Sequence, residues 1–286
     1  MKEDVYRRIR ERSSSMSQAQ HKIARFIENH PDIAPFLTAA KMAEKARVAE
    51  ATVVRFAVAL GYSGYTEMQR NLQDQIRERI TTVERLDLAD HLYPEESRVA
   101  VEVLNDDISN LQQTMHRLDG EVFAEAVRKI SEAEKIRVVA FRSSHALGYF
   151  MTFYLQLILQ NTELIHNSDT MLEHLSSLKK QDLVIGIGFP RYTHRTIQAI
   201  QFARSQGVQT LCLTDSVGSP LAQEADLSLF ASSRLPSYVD SFTAPLSLIN
   251  GILTSVGRNM KNLATQRLSE MERLWEREGI YYRKKS

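Results

Sequence analysis

Four short apolar runs, IRVVAF, DLVIGI, VQTLCL and DLSLFA, start at Ile136, Asp182, Val208 and Asp226 and are separated by longer stretches of helical periodicity. The first three runs carry β-branched residues and all four are largely apolar, as a strand buried on both faces must be. Parallel neighbours need a crossover, and crossover helices cover the two faces of the sheet. The second half of the chain is therefore predicted to be an α/β domain, a doubly wound parallel sheet of the flavodoxin-like, three-layer kind.

The first eighty residues carry helical periodicity and no convincing strand. Ser17 to Gln20 has the S-x-x-Q form of a capping box and opens an amphipathic helix (Ile23, Phe26, Ile27) that stops before Pro31. Further helices fit Ala39 to Ala46, Glu50 to Leu60 with Gly61 as its left-handed cap, and Tyr65 towards Arg79. From Thr81 to about Ser97 the pattern weakens, with Pro94 in a mixed-charge run, and reads as a linker. Helices resume over Val99 to Arg117 and Glu121 to Ala133, and a long one closes the chain from about Ser241 to Glu278 before the basic tail Arg283-Lys284-Lys285. At 286 residues the chain exceeds the usual single domain. The expected division is a helical domain over 1–80, a linker and connecting helix over 81–120, and the α/β domain with its C-terminal helix over 121–286.

Composition narrows the setting. A single cysteine, Cys212, excludes an internal disulfide framework and suits a reducing compartment, and its neighbours TLCLT mark it as an inert core thiol. No run is long and apolar enough to span a bilayer, and the N-terminus has no apolar secretory core, so a cytoplasmic protein with no membrane partner is expected. The net charge is +1 but uneven: residues 1–80 hold 14 Lys and Arg against 10 Asp and Glu, a balance of +4, leaving −3 elsewhere. That asymmetry points to a polyanion partner for the N-terminal part.

The segment TAAKMAEKARVAEATVVRFAVALGYSGY has the layout of a helix-turn-helix. Met42, Ala43 and Ala46 face inward from a short first helix, Val48 plugs the turn, and Val53, Phe56, Ala57 and Leu60 face inward from the second. Glu50, Ala51, Thr52 and Arg55 are left outward near the N-terminus of the second helix, the end that enters a major groove in this motif. Thr52 is placed for a base edge or phosphate and Arg55 for guanine or the backbone. Over Ala43 to Met68 the chain closely resembles the N-terminal domain of the RpiR family of bacterial transcriptional regulators, with its A-x-x-A-x-V-S-x-x-T-V-V-R-F-x-x-x-L-G-[FY]-x-G-[FY] pattern. Arg47 stands where that family usually has a turn glycine, adding a candidate phosphate contact, and Ala49 where it usually has a capping serine.

The resemblance implies a sugar isomerase (SIS) domain behind the DNA reader, and the order of motifs over about Val122 to Val256 is similar to one. It also implies two ligand loops, G-x-G-x-S after the first strand and S-x-S-G-x-T before a helix, that hold a phosphosugar with backbone donors and small hydroxyls. Here the first loop is Ala140-Phe141-Arg142-Ser143-Ser144 and the second Gly188-Phe189-Pro190-Arg191-Tyr192-Thr193. Side chains at former glycine positions block close backbone approach, while two arginines, Arg142 and Arg191, suit a carboxylate or phosphate. The expected effector is a small anion, a phosphosugar or a carboxylate-bearing metabolite, oriented by Ser143, Ser144, Tyr192 and Thr193.

The expected protein is thus a DNA-binding regulator, a homodimer or homotetramer that binds a double-stranded operator and whose SIS domain senses the anion. The alternative is an SIS-type aldose–ketose sugar-phosphate isomerase, with His145 and His194 beside the loops as acid–base candidates. No glutamate lies near either loop in sequence, so no catalytic residue is assigned and no enzyme activity is expected. His166-Asn167-Ser168-Asp169 and His174 lack ligand spacing, and neither a P-loop nor a dinucleotide fingerprint is present, so no metal and no cofactor is expected.

Overall fold

The structure, a computed structural model, describes residues 5–31, 33–76, 81–93, 95–235 and 237–282. The end of the fourth predicted helix at Arg79, Pro94 and the basic tail from Arg283 lie outside the described residues. The chain forms two compact units, Met1–Val103 with Leu235–Asp240, and Leu104–Arg234 with Ser241–Ser286.

The first unit contains α1 (Val5–Arg12), α2 (Gln18–Asn29), α3 (Ala39–Ala46), α4 (Glu50–Ala59), α5 (Tyr65–Ile76) and α6 (Thr82–Leu92). The capping box that opens α2 is made: Gln20 N donates to Ser17 Oγ at 3.3 Å, and Ser17 N donates to Gln20 Oε1 at 2.8 Å. Ile23, Ile27, Met42, Val53, Phe56, Met68 and Leu72 are fully buried in one core, with Val48 packed against it. The Tyr65 hydroxyl, whose pKa burial pushes up, donates to Leu37 O at 2.8 Å and pins α5 against the turn before α3. Sequence reading missed α1, which buries only Val5 and Ile9, four residues apart.

The stretch read as a linker is partly helical. Thr81 and Glu84 form a second capping box, with Thr81 N donating to Glu84 Oε2 at 2.7 Å and Glu84 N to Thr81 Oγ1 at 3.2 Å. The backbone bond from Thr81 foremost holds the Glu84 carboxyl below its ordinary value. The T-x-x-E signature was present in the sequence, but the weak apolar period of α6 hid it. A single helix, α7 (Val99–Arg117), follows.

In the second unit α8 (Gly120–Glu132) leads to β1 (Ile136–Val139), α9 (His145–Leu159), β2 (Thr162–Ile165), α10 (Met171–Ser176), β3 (Leu183–Ile187), α11 (His194–Ser205), β4 (Gln209–Thr214), α12 (Pro220–Glu224), β5 (Leu227–Phe230), α13 (Thr243–Asn259) and α14 (Lys261–Glu278). The sheet is fully parallel, in the order β2-β1-β3-β4-β5. Residues alternate between its faces: Ile136, Val138, Leu183, Ile185 and Ile187 pack with α8, α9 and α13, whereas Val139 and Val184 pack with α10 and α11. That is the predicted doubly wound, three-layer sheet.

Two details differ from expectation. β2 was not anticipated: its run TELI is interrupted by the exposed Glu163, which pairs with Arg137 of β1 at 3.0 Å. The predicted long C-terminal helix is two helices, α13 and α14, broken at Met260 with φ −100° and ψ 31°. Cys212 is fully buried in β4, and burial pushes its thiol up to about 12. No described helix is long and apolar enough to cross a membrane.

Candidate functional site

Two surfaces carry the predicted site residues, one in each unit. In the first unit, Thr38 caps α3 by accepting from Lys41 N at 3.2 Å, and the turn after α3 is made by Arg47 at φ 54° and ψ 55°. Val48 N then reaches back to Ala43 O at 2.9 Å, closing the turn. A side chain at such a left-handed position costs about 1 kcal/mol or more. Ala49 caps α4 with no side-chain bond, so the hydroxyl that resembling sequences carry there is not replaced.

Val53, Phe56 and Ala57 turn inward from α4, which leaves Arg47, Glu50, Ala51 and Arg55 exposed and Thr52 half-buried. Arg55 Nε bonds to Ala51 O at 3.2 Å, so the guanidinium lies back along its own helix in the free protein. Val54 and Val58, which sequence reading did not single out, stand 40% and 53% exposed on the same helix. Their spacing from Ala51, three and seven residues, was the signal that could have found them. Two arginines of α1 hold the other end of α4: Arg8 Nη1 donates to Leu60 O at 3.0 Å and Arg12 Nη1 to Ala59 O. Cations at a helix C-terminus satisfy the last carbonyls and oppose the dipole, and the Arg8 guanidinium also sits 4.5 Å from the Tyr62 ring centroid.

In the second unit the strand order reverses direction between β1 and β3. Their following helices, α9 and α11, leave to opposite faces, which opens a crevice beyond the carboxyl ends of the two strands. The loops that flank it are the two predicted ligand loops. Arg142 has φ 57° and Arg191 φ 64°, so each arginine occupies a backbone conformation that glycine adopts at no cost.

Arg142 and Ser143 are exposed, and the buried Ser144 stands at the N-cap of α9 without a side-chain capping bond. Arg191 is exposed, and the half-buried Thr193 stands at the N-cap of α11, also without such a bond. Tyr192, half-buried, donates its hydroxyl to Asp215 Oδ1 at the end of β4, while Thr214 Oγ1 donates to the same oxygen at 3.4 Å. Asp215 lies 23 residues from Tyr192 in the sequence, and only the sheet brings them together. Gly148 of α9 packs so tightly on β1 that an added Cβ would stand 2.8 Å from Ala140 Cβ.

Two guanidinium groups, small hydroxyls at the caps and two helix N-termini make this edge suited to an anion. His145 is occupied differently, its Nδ1 3.0 Å from Ala140 O and its ring 5.3 Å from that of His166. Among the described residues, no group of three His, Cys, Asp or Glu side chains is arranged to hold a metal ion.

Residues 4–79 match the helix-turn-helix domain of the rpiR family, and residues 129–255 match the SIS domain. The sugar isomerase domain of an RpiR transcription factor from Sphaerobacter thermophilus is 30% identical with a TM-score of 0.60, over 62% of this chain and 99% of that one. The chain belongs to the RpiR family of transcriptional regulators. An uncharacterized HTH-type transcriptional regulator of Caldanaerobacter subterraneus subsp. tengcongensis is 28% identical over 233 residues, 81% of each chain. The Vibrio vulnificus NanR protein complexed with ManNAc-6P shares the fold at 19% identity and a TM-score of 0.58, over 95% of this chain and 98% of that one. As an RpiR regulator the protein couples an N-terminal helix-turn-helix to a C-terminal SIS domain.

Proposed function

We propose that this RpiR regulator is a one-component cytoplasmic switch in which a small anionic metabolite, held by the loops after β1 and β3, sets the affinity of the helix-turn-helix for its operator. Its working parts are a reader over residues 1–80, a connecting segment over 81–120 and a sensor over 121–286. Arg47 and Arg55 serve phosphates or guanine, Glu50, Ala51 and Thr52 face the bases, and Val54 and Val58 offer methyl groups to thymine. Arg142 and Arg191 bind the anion, and Ser143, Ser144, Tyr192 and Thr193 orient it.

The observation that carries the sensing role is the pair of arginines in left-handed conformation on either side of the β1/β3 crevice. Backbone of that kind persists where the surroundings enforce it, and such outliers cluster at ligand clamps. The side chains narrow the approach of a phosphate to backbone amides and favour a carboxylate met bidentately, with a phosphosugar as the other member of the anionic class. His145, held against the Ala140 carbonyl, supports sensing over isomerisation. The effector shifts operator affinity by favouring one arrangement of a homodimer or homotetramer.

The test is a thermal-shift screen of the full chain with phosphosugars and with amino, keto and dicarboxylic acids, repeated on Arg142→Ala and Arg191→Ala. A carboxylate that stabilises the wild type and neither variant supports the reading. Stabilisation by sugar phosphates that survives both substitutions defeats the carboxylate assignment and the role of the arginines.

A further inference from the structure

The last carbonyls of a helix have no partner within it. At the end of α4 the following backbone takes three of them: Leu60 N donates to Phe56 O at 3.0 Å, Tyr62 N to Ala57 O at 3.1 Å and Gly61 N to Val58 O at 2.9 Å, with Gly61 left-handed at φ 89°. The Ala59 and Leu60 carbonyls come next, and both are met from α1. Arg12 Nη1 donates to Ala59 O, and Arg8 Nη1 donates to Leu60 O at 3.0 Å. Two guanidinium groups on neighbouring turns of one helix thus close the end of another.

The clamp is fixed on its own side as well. Val5 and Ile9 anchor α1 in the same core that buries Val53, Phe56 and Ala57 of α4. The Arg8 guanidinium lies 4.5 Å from the ring centroid of the buried Tyr62, and a Cβ at position 61 would stand 3.2 Å from Arg8 Nη1, so glycine there also makes room for the arginine. The opposite end of α4 has no such support, because Ala49 offers no side-chain cap. That uncapped end carries Glu50, Ala51 and Thr52, the residues turned towards the bases. The helix is therefore oriented by its buried face and by the two arginines at its far end, where cations also oppose the dipole.

Reading a base edge requires the side chain to be held within about 0.5 Å of its working position. A small tilt at the C-terminus of so short a helix displaces the reading residues at its start. We propose that Arg8 and Arg12 are positioning residues for operator reading: by bonding the Leu60 and Ala59 carbonyls they set the orientation of α4, and with it the bases that Glu50, Ala51, Thr52 and Arg55 meet. This rests on the operator-reading role proposed above for α4 and adds α1 to the reader. The role differs from a phosphate contact. A phosphate contact strengthens binding to every sequence and steepens its salt dependence, whereas a positioning bond acts on discrimination between sequences.

The test uses the full chain and a duplex that the wild type selects from a random-sequence library, beside a scrambled duplex of the same composition. Arg8→Gln, Arg12→Gln and the double variant are compared with Arg10→Gln, which removes an exposed cation of the same helix. The ratio of selected to scrambled affinity is expected to fall in each single variant and by about tenfold or more in the double variant, as for a mismatched base pair, and to stay unchanged in Arg10→Gln. On the selected duplex the slope of log affinity against log salt should keep its wild-type value in Arg12→Gln, whereas loss of a phosphate contact would shrink it by about one. Tyr62→Leu keeps both cations but removes the ring beside Arg8, and it should lower the same ratio. Circular dichroism melts accompany every variant, and the exposed Arg12 keeps the test readable if Arg8→Gln does not fold. An unchanged ratio in Arg12→Gln, or a lowered ratio that comes with a slope smaller by one, overturns the proposal. A wild type that selects no sequence fails the operator-reading role itself, while a wild type that selects one and variants that keep its ratio fail the clamp alone.

Discussion

The Tyr192 hydroxyl donates to Asp215 Oδ1, joining the loop after β3 to the end of β4 beside the left-handed Arg191. Asp215 is only 5% exposed, so removing a donor withdraws support from a carboxylate that water hardly reaches. Tyr192→Phe is expected to lower the unfolding free energy by about 1–2 kcal/mol, measured by urea denaturation. A value unchanged from wild type would mean that the loop is held by other contacts.

Arg47 has φ 54°, so Arg47→Gly relieves backbone strain while removing a cation from the turn beside the reading helix. The variant should gain up to about 1 kcal/mol of stability. If Arg47 touches a phosphate, the slope of log affinity for the operator against log salt should also shrink by about one. Fluorescence anisotropy over a salt series checks this. A stabilised variant with an unchanged slope would leave Arg47 as a turn residue alone.

Gly148 is where α9 meets β1. An added Cβ would stand 2.8 Å from Ala140 Cβ and 3.0 Å from Leu164 Cδ1, both within the core. Gly148→Ala should therefore destabilise by about 1–3 kcal/mol through overpacking. In the double variant with Ala140→Gly much of that loss should return, and denaturation of the four species gives the coupling directly.

Cys212 supplies a pH dependence of defined sign. Burial raises its folded value to about 12, while the unfolded thiol keeps an ordinary value near ~8.5. Below the unfolded value both states are neutral and the contribution to stability is fully present. As pH rises from there towards the folded value, only the unfolded state ionises and stability falls. Cys212→Ala should lose this component of alkaline destabilisation, and the native thiol should resist a disulfide reagent at pH 8 until denaturant is added.

Legibility in the sequence followed the reach of the signal. α3 and α4 could be placed because local chemistry marks their ends: Thr38 caps the start of α3, and Gly61, at φ 89°, follows the last turn of α4. β2 was missed because Glu163 breaks its apolar run and the turn before it uses Gln160 at φ 57° in place of a glycine. The break at Met260 carries neither glycine nor proline to announce it. At the carboxyl edge of the sheet, the left-handed backbone of Arg142 and Arg191 was legible because each stands where the resemblance implies a glycine. Their neighbour Asp215 depended on strand order, which no local pattern encodes.

The exposed rim of the sheet at β2 has one more consequence. It is four residues long, with the Arg137–Glu163 ion pair at its middle, and a short charged edge is a poor template for an incoming strand. On that side of the sheet, crowded copies of this chain are thereby steered away from cross-β stacking.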